Sequence, residues 1–281
     1  MPSFRDIAQV VRGRETYDGA GVRLVRLFSA TGNPGFDPFL MMDAFDNHNP
    51  EDYRKGFPWH PHRGIETVTY LITGRVEHGD SLGNSGTIGD GDCQWMTAGS
   101  GIIHQEMPQP PGHMLGVQLW LNLPAKDKMA PPAYGDILAA QVPVVEKDGA
   151  TVRVIAGHYE GVAGAFHGRY VQPLFVDVTL PAQCTWTLAT PPEHTVYTYV
   201  FSGAGRMTPA QEKPTGAKTV NLFGPGDAVQ VQTSDQAMRF ILLSGPPLNE
   251  PIAWGGPIVM NTQAELDLAF AELRQGTFIK S

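Results

Sequence analysis

WHPHRGIE, residues 59–66, carries two histidines one residue apart and a glutamate four residues after the second. The run that continues it, ETVTYLI at 66–72, alternates and is rich in β-branched and aromatic residues, which marks an extended segment. Side chains on a strand alternate faces, so His60, His62 and Glu66 share one parity. Residues i and i+2 lie about 6.6–6.8 Å apart along a strand. Two imidazoles at that spacing can converge on one ion about 2.1 Å from each nitrogen. Two ligands do not close such a site, so at least one more comes from elsewhere in the chain.

GSGIIHQEM, residues 99–107, supplies candidates, because His104 and Glu106 again stand at i and i+2. His104 follows His62 by 42 residues, enough for several strands and turns to return beside the first pair. Two such pairs on two strands of one barrel can give three imidazoles and one carboxylate. Parity alone allows that carboxylate to be Glu66 or Glu106.

The surrounding chain reads as strands and turns. GDSLGNSG (79–86) is a turn cluster, and DCQWMTA (92–98) and LGVQLWLNL (115–123) alternate again. Residues 126–143, opening on the polar and proline-bearing KDKMAPPAYGD, break the pattern and read as a linker. Beyond it PLFVDVTL (173–180), HTVYTYVFSG (194–203) and DAVQVQT (227–233) are strand-like. VTYLITG (68–74) parallels YTYVFSG (197–203), and GDGD (89–92) parallels GPGD (224–227). A repeated unit of this kind predicts a duplicated β-barrel. One helix is expected at 262–276: Thr262 and Glu265 form a capping box, Leu266, Ala269, Phe270 and Leu273 fall at helical spacing, and Gly276 supplies the stop.

Composition supports the all-β reading. Glycine (32) and proline (24) occupy about a fifth of the 281 residues, far too many punctuators for a helical bundle. The formal net charge of -8 repels phosphate backbones and argues against direct nucleic-acid binding. No run of about 18 apolar residues predicts a membrane helix. The first residues lack the apolar core of a secretory signal, and Cys93 and Cys184 lie far apart, so a cytoplasmic location is expected. Cys93 reads as a small core residue. GAGRM (203–207) has no helix after it and is not a dinucleotide loop, and Ser100 lacks the setting of a nucleophile elbow. His194 reads as an ordinary histidine, and His78, His113, His158 and His167 receive no role.

The segment 59–107, WHPHRGIETVTYLITGRVEHGDSLGNSGTIGDGDCQWMTAGSGIIHQEM, closely resembles the pirin signature of the cupin superfamily. FLMMDAFD (39–46) and GGPIVMNT (255–262) resemble the same family, and the likeness spans nearly the whole chain. The resemblance implies a bicupin, two tandem cupin-type β-barrels with a short C-terminal helix. The expected division is a metal-binding barrel at 1–125, the linker at 126–143, and a second barrel at 144–281 that ends in the helix. The family carries iron in its first barrel, bound by the residues matching His60, His62, His104 and Glu106. By this resemblance Glu106 is the carboxylate ligand, and Glu66 orients a ligand, holds a proton or pairs with Arg63 or Arg75.

In the second barrel, aligning Tyr199 on Tyr70 maps His60 to Ala189, His62 to Pro191 and Glu66 to Thr195. Aligning Asp227 on Asp92 maps His104 to Arg239 and Glu106 to Ile241. No ligand set survives there.

A mixed imidazole–carboxylate site suits one divalent ion, Fe(II) by resemblance, and also admits Mn, Co, Ni, Cu or Zn. Some pirin-like proteins cleave the flavonol quercetin with O2 and release carbon monoxide. That implies a small aromatic substrate, O2, and Glu106 or Glu66 as base toward the flavonol hydroxyl. Phe57, Trp59 and Trp95 line the pocket or fill the core. Pirins are also described as iron-dependent regulators that bind transcription factors or metabolic enzymes, so a regulatory protein partner is the competing expectation.

Overall fold

The computed structural model describes residues 2–110 and 112–280. Two compact units divide the chain, and each is a seven-stranded antiparallel sheet accompanied by a four-stranded one.

The first unit comprises residues 14–29, 39–139 and 248–281. Its larger sheet runs, strand beside strand, Ala133–Ile137, Cys93–Thr97, Ile65–Thr73, Met114–Asn122, Phe39–Asn47, Val22–Ser29 and Arg14–Asp18. Its smaller sheet runs Phe57–His62, Ile102–Pro108, Val76–Asp80 and Ser85–Ile88. Val22, Leu24, Phe45, Tyr53, Leu71, Val76, Ile88 and Met114 pack as one buried cluster. In Ile102–Pro108 the alternation carries His104 and Glu106 inward and leaves Ile103, Gln105 and Met107 less covered. A period-2 pattern with polar residues on its buried face is the reverse of ordinary strand economy, and it marks this strand as the site's own.

The second unit comprises residues 1–13, 30–38 and 140–247. Its larger sheet runs Ile7–Val11, Thr219–Phe223, Thr195–Ser202, Met238–Gly245, Leu174–Leu180, Ala150–Ala156 and Val144–Lys147. The smaller runs Thr185–Ala189, Ala228–Thr233, Ala204–Arg206 and Thr215–Gly216. The same seven-and-four plan confirms the duplicated fold, and the core here is aliphatic, with Trp186 and Phe240 packed edge to face at its centre.

Two expectations are corrected. The units are not contiguous at 125 and 144. Residues 133–137, inside the supposed linker, pair with Cys93–Thr97 as an outer strand of the first unit. Ile7–Val11 pairs with Thr219–Phe223 in the second unit, and residues 248–281, helix included, belong to the first. In each case an edge strand or an apolar face finds cover. The GxGD match is also not an equivalence. The strand after GPGD, Ala228–Thr233, lies beside Thr185–Ala189, the place that Ile102–Pro108 holds beside Phe57–His62. Ala189 pairs with Ala228 as His60 pairs with His104, so the counterparts of His104 and Glu106 are Ala228 and Gln230. The second unit still has no ligand set.

The helix spans Gln263–Gln275, with Thr262 and Glu265 in a reciprocal capping box and Gly276 left-handed at φ 71. Leu266 and Ala269 bury their side chains with Ile258, Met260 and Phe278. Thr262→Ala removes the hydroxyl that accepts from the Glu265 amide. It is expected to cost about 1 kcal/mol, read as a lowered urea midpoint with unchanged slope.

Candidate metal centre

His60 and His62 project from Phe57–His62, and His104 projects from the adjacent strand, directly opposite His60. One ligand atom from each of the three lies within 4.8 Å of the others. His62 and His104 are buried and His60 is half-buried. The rings stand 4.4 to 5.1 Å apart between centroids, at steep mutual angles.

The hydrogen bonds fix which nitrogens are free. His60 Nδ1 is 2.9 Å from the Pro58 carbonyl oxygen, and His62 Nδ1 is 3.0 Å from that of Pro257. A carbonyl only accepts, so each Nδ1 carries the proton and donates it. Both Nε2 atoms are then bare lone pairs, yet they face each other at 3.0 Å. His104, 1% exposed, has no hydrogen-bond partner on either ring nitrogen among the described residues. Two facing lone pairs, and a buried third imidazole with no partner on either nitrogen, are costly in a metal-free interior. They fit a cation, and the carbonyls behind His60 and His62 are the outer contacts that set ligand tautomers in metal sites.

Electrostatics agree. Burial, helped by the neighbouring His60, lowers His62 to about 3. Burial followed by His62, His60 and His78 holds His104 well below the ordinary imidazole range. Both rings stay neutral at physiological pH, the protonation state that coordinates.

Glu106 does not belong to the close group of three. It is buried two residues along the same strand, and its Oε1 accepts from Thr69 Oγ1 at 2.7 Å. The amide of Gln118 lies against the same hydroxyl at 2.6 Å. Burial raises the Glu106 carboxyl, opposed by the Thr69 hydrogen bond and by His60 and His78. Glu66 is elsewhere: fully buried, it accepts from Thr97 Oγ1 at 2.7 Å. Arg63, one of its expected partners, binds Glu272 instead.

Of the aromatic candidates, Trp95 is core, Trp59 is 55% exposed and Phe57 is half-buried beside Glu106. The cavity that Glu106 and Phe57 line with Thr69, Gln118, Tyr53 and Met114 measures about 10 Å³, room for a single water. Residues without a sequence signal also shape the site. Trp120 packs edge-on against His62 at 5.0 Å and Trp254 lies 5.8 Å from Trp120. His78, given no role by its sequence position, pairs across the sheet with Glu106 and holds Asp136 Oδ2 at 3.1 Å. Strand parity would have found His78 once the pairing of Val76–Asp80 with Ile102–Pro108 was known.

Residues 21–121 match the family described as Pirin, and residues 175–279 match the Pirin C-terminal cupin domain. The chain is similar to the pirin-like protein of Caulobacter vibrioides, 44% identical over 99% of this chain and 100% of that one. It is similar to human pirin, 39% identical over 98% of this chain and 94% of that one. Among solved structures it resembles a quercetin 2,3-dioxygenase from Acinetobacter baumannii, TM-score 0.88 at 34% identity, covering 98% of this chain and 99% of that one.

Proposed function

The chain belongs to the pirin family, and from that premise we propose that it is an Fe(II)-dependent dioxygenase that opens a flavonol or related aromatic ring with O2. The observation that carries the proposal is the pair of Nε2 atoms on His60 and His62 facing each other at 3.0 Å, beside the buried His104, unpartnered among the described residues. His60, His62 and His104 would hold the ion, with Glu106 as the nearby carboxylate. Mixed nitrogen and oxygen donors of this kind suit Fe(II) and accept Mn, Co, Ni, Cu or Zn. Iron supplies one-electron chemistry with O2 that no side chain can provide.

The chain's own part is positioning and proton handling. The Pro58 and Pro257 carbonyls lock two imidazoles in the coordinating tautomer. Thr69 holds Glu106 Oε1 in place. The raised pKa of Glu106 suits it to take the proton of an incoming flavonol hydroxyl. Val22, Phe45, Phe57 and Met114 line the small cavity beside Glu106 with apolar surface.

One observation favours a second reading. Ligand pockets for drug-sized molecules measure about 300–1,000 Å³, and the space beside Glu106 is about 10 Å³. A three-ring substrate must therefore approach from the half-buried His60 side or open the barrel. If neither happens, the centre serves as an iron-dependent regulator that binds a transcription factor or metabolic enzyme. Anaerobically Fe(II)-loaded protein is expected to consume O2 and release carbon monoxide on addition of quercetin. His104→Ala should abolish both. Full iron occupancy without turnover would refute the enzyme and favour the regulator.

A further inference from the structure

A second cluster of metal-ligating side chains stands apart from the three barrel imidazoles. Asp46 lies near the end of Phe39–Asn47 and His48 just past it, while His113 directly precedes Met114–Asn122. The two strands are paired, with Leu115 opposite Asp46 and Met114 opposite Asn47. The His48 and His113 rings stack at 3.9 Å with 12° between planes. His113 Nε2 meets Asp46 Oδ1 at 2.7 Å, and one ligand atom from each of the three falls within 4.8 Å of the others.

The scaffold beneath them is fixed. Asn47 Nδ2 donates to the Arg23 carbonyl at 2.7 Å, and the buried Tyr53 donates its hydroxyl to the Gly112 carbonyl at 2.7 Å. The residues flanking His48 and His113 are thus tied down, while His48 itself is exposed. Asp46 and His113 are half-buried, so their desolvation is partly met on folding.

We propose that Asp46, His48 and His113 form a second metal site, which takes a divalent transition ion of the Zn, Ni or Cu class. Two imidazoles and one carboxylate match the donor preference of those ions and not that of Mg or Ca, which take oxygen ligands. The half-exposed position leaves the remaining coordination to water. On binding, His113 gives up its Nε2 hydrogen bond to Asp46, and the ring proton moves to Nδ1. Nothing in this site depends on the barrel imidazoles.

The test uses tag-free full-length protein and Zn(II) alone as probe. A His60→Ala/His104→Ala background removes the barrel donors. That variant is expected to bind one equivalent of Zn(II), and adding His48→Ala should weaken binding at least about tenfold. Cu(II) bound in the same background should show electron paramagnetic resonance hyperfine structure from two nitrogens. His48 is exposed, so its replacement leaves folding intact, which circular dichroism checks. No Zn(II) binding in the background, or binding unchanged by His48→Ala, would overturn the proposal. If the barrel holds no metal, the wild-type chain binds one equivalent that His48→Ala alone removes, so the two sites fail separately.

Discussion

His104→Ala is expected to lower iron affinity by more than about 100-fold while leaving the metal-free protein about as stable as before. The affinity estimate follows from the cost of disturbing contacts behind a ligand, roughly 10- to 100-fold. Removing a ligand outright costs more. The stability estimate rests on two opposed effects. Truncating a buried ring opens a cavity, but it also removes two buried nitrogens that have no partner among the described residues. Each unpaired polar atom costs about 1–3 kcal/mol, enough to offset the cavity to within about 1 kcal/mol. Metal-loaded wild type, in contrast, should gain about 2.7 kcal/mol at a hundredfold excess of free iron over Kd. His104→Ala should gain almost none. Metal content after dialysis and melting with and without Fe(II) read both numbers. An unchanged iron stoichiometry in His104→Ala would remove this residue from the ligand set.

The second large effect lies one residue beyond His62. Arg63 is 2% exposed, and its fork donates to three groups: Nε to Ser100 O at 2.7 Å, Nη1 to Glu272 Oε2 at 2.7 Å and Nη2 to Phe278 O at 2.8 Å. Its guanidinium also stands 4.2 Å over the Phe278 ring. Gly64 follows with φ +76, where a Cβ would come 2.0 Å from Val259 O. Lys128 Nζ donates to both the Gly64 and Val259 carbonyls, at 2.8 and 2.9 Å. The strand that carries His62 is thereby fastened to the segment that carries Pro257, the acceptor for His62 Nδ1. Arg63→Ala leaves the buried Ser100 and Phe278 carbonyls and the half-buried Glu272 without this donor and should cost about 2–6 kcal/mol, from about 1–3 kcal/mol per stranded buried acceptor. It should also weaken iron binding about 10- to 100-fold through His62. Arg63→Lys restores the charge but not the fork and should recover only part of the loss.

Glu272 adds a pH signature. Its carboxyl is held below the ordinary value of 4.5, first by Lys280 and then by Arg63, against its own desolvation. A depressed carboxylate stabilises the fold fully above its unfolded pKa, and that stability is lost as pH falls through the lower folded value. Acid should therefore destabilise wild type more steeply than Arg63→Ala in the window below about pH 4.5. Parallel acid profiles would place the stabilisation elsewhere.

Much of this was readable before any coordinates. The parity of His60 and His62, and of His104 and Glu106, depends only on strand periodicity, and the structure stacks His60 directly opposite His104. The capping box and Gly276 stop of the helix depend on adjacent residues and hold as expected. Cys93 is fully buried, as a small core residue should be. What failed was long-range. Which barrel the helix packs on, and which sheet receives residues 133–137, are decided by exposed edges and faces that no local pattern encodes. The GxGD turns look alike because a turn before a strand has few solutions, yet they lead into strands at different places in their sheets. The partners of His62, Trp120 and the Pro257 carbonyl, come from distant segments and carry no motif. His78 and His113 looked scattered because their partners Asp136 and Asp46 are 58 and 67 residues away.

The most direct test of the account is electron paramagnetic resonance of the anaerobic Fe(II) protein with nitric oxide, recorded before and after adding quercetin. Nitric oxide would probe the open metal position that the proposed O2 chemistry requires. The account predicts a high-spin ferrous nitrosyl signal, absent from His104→Ala, whose line shape changes when the flavonol binds beside it. A signal identical with and without quercetin would mean that no flavonol reaches the metal, and would contradict the proposed enzyme.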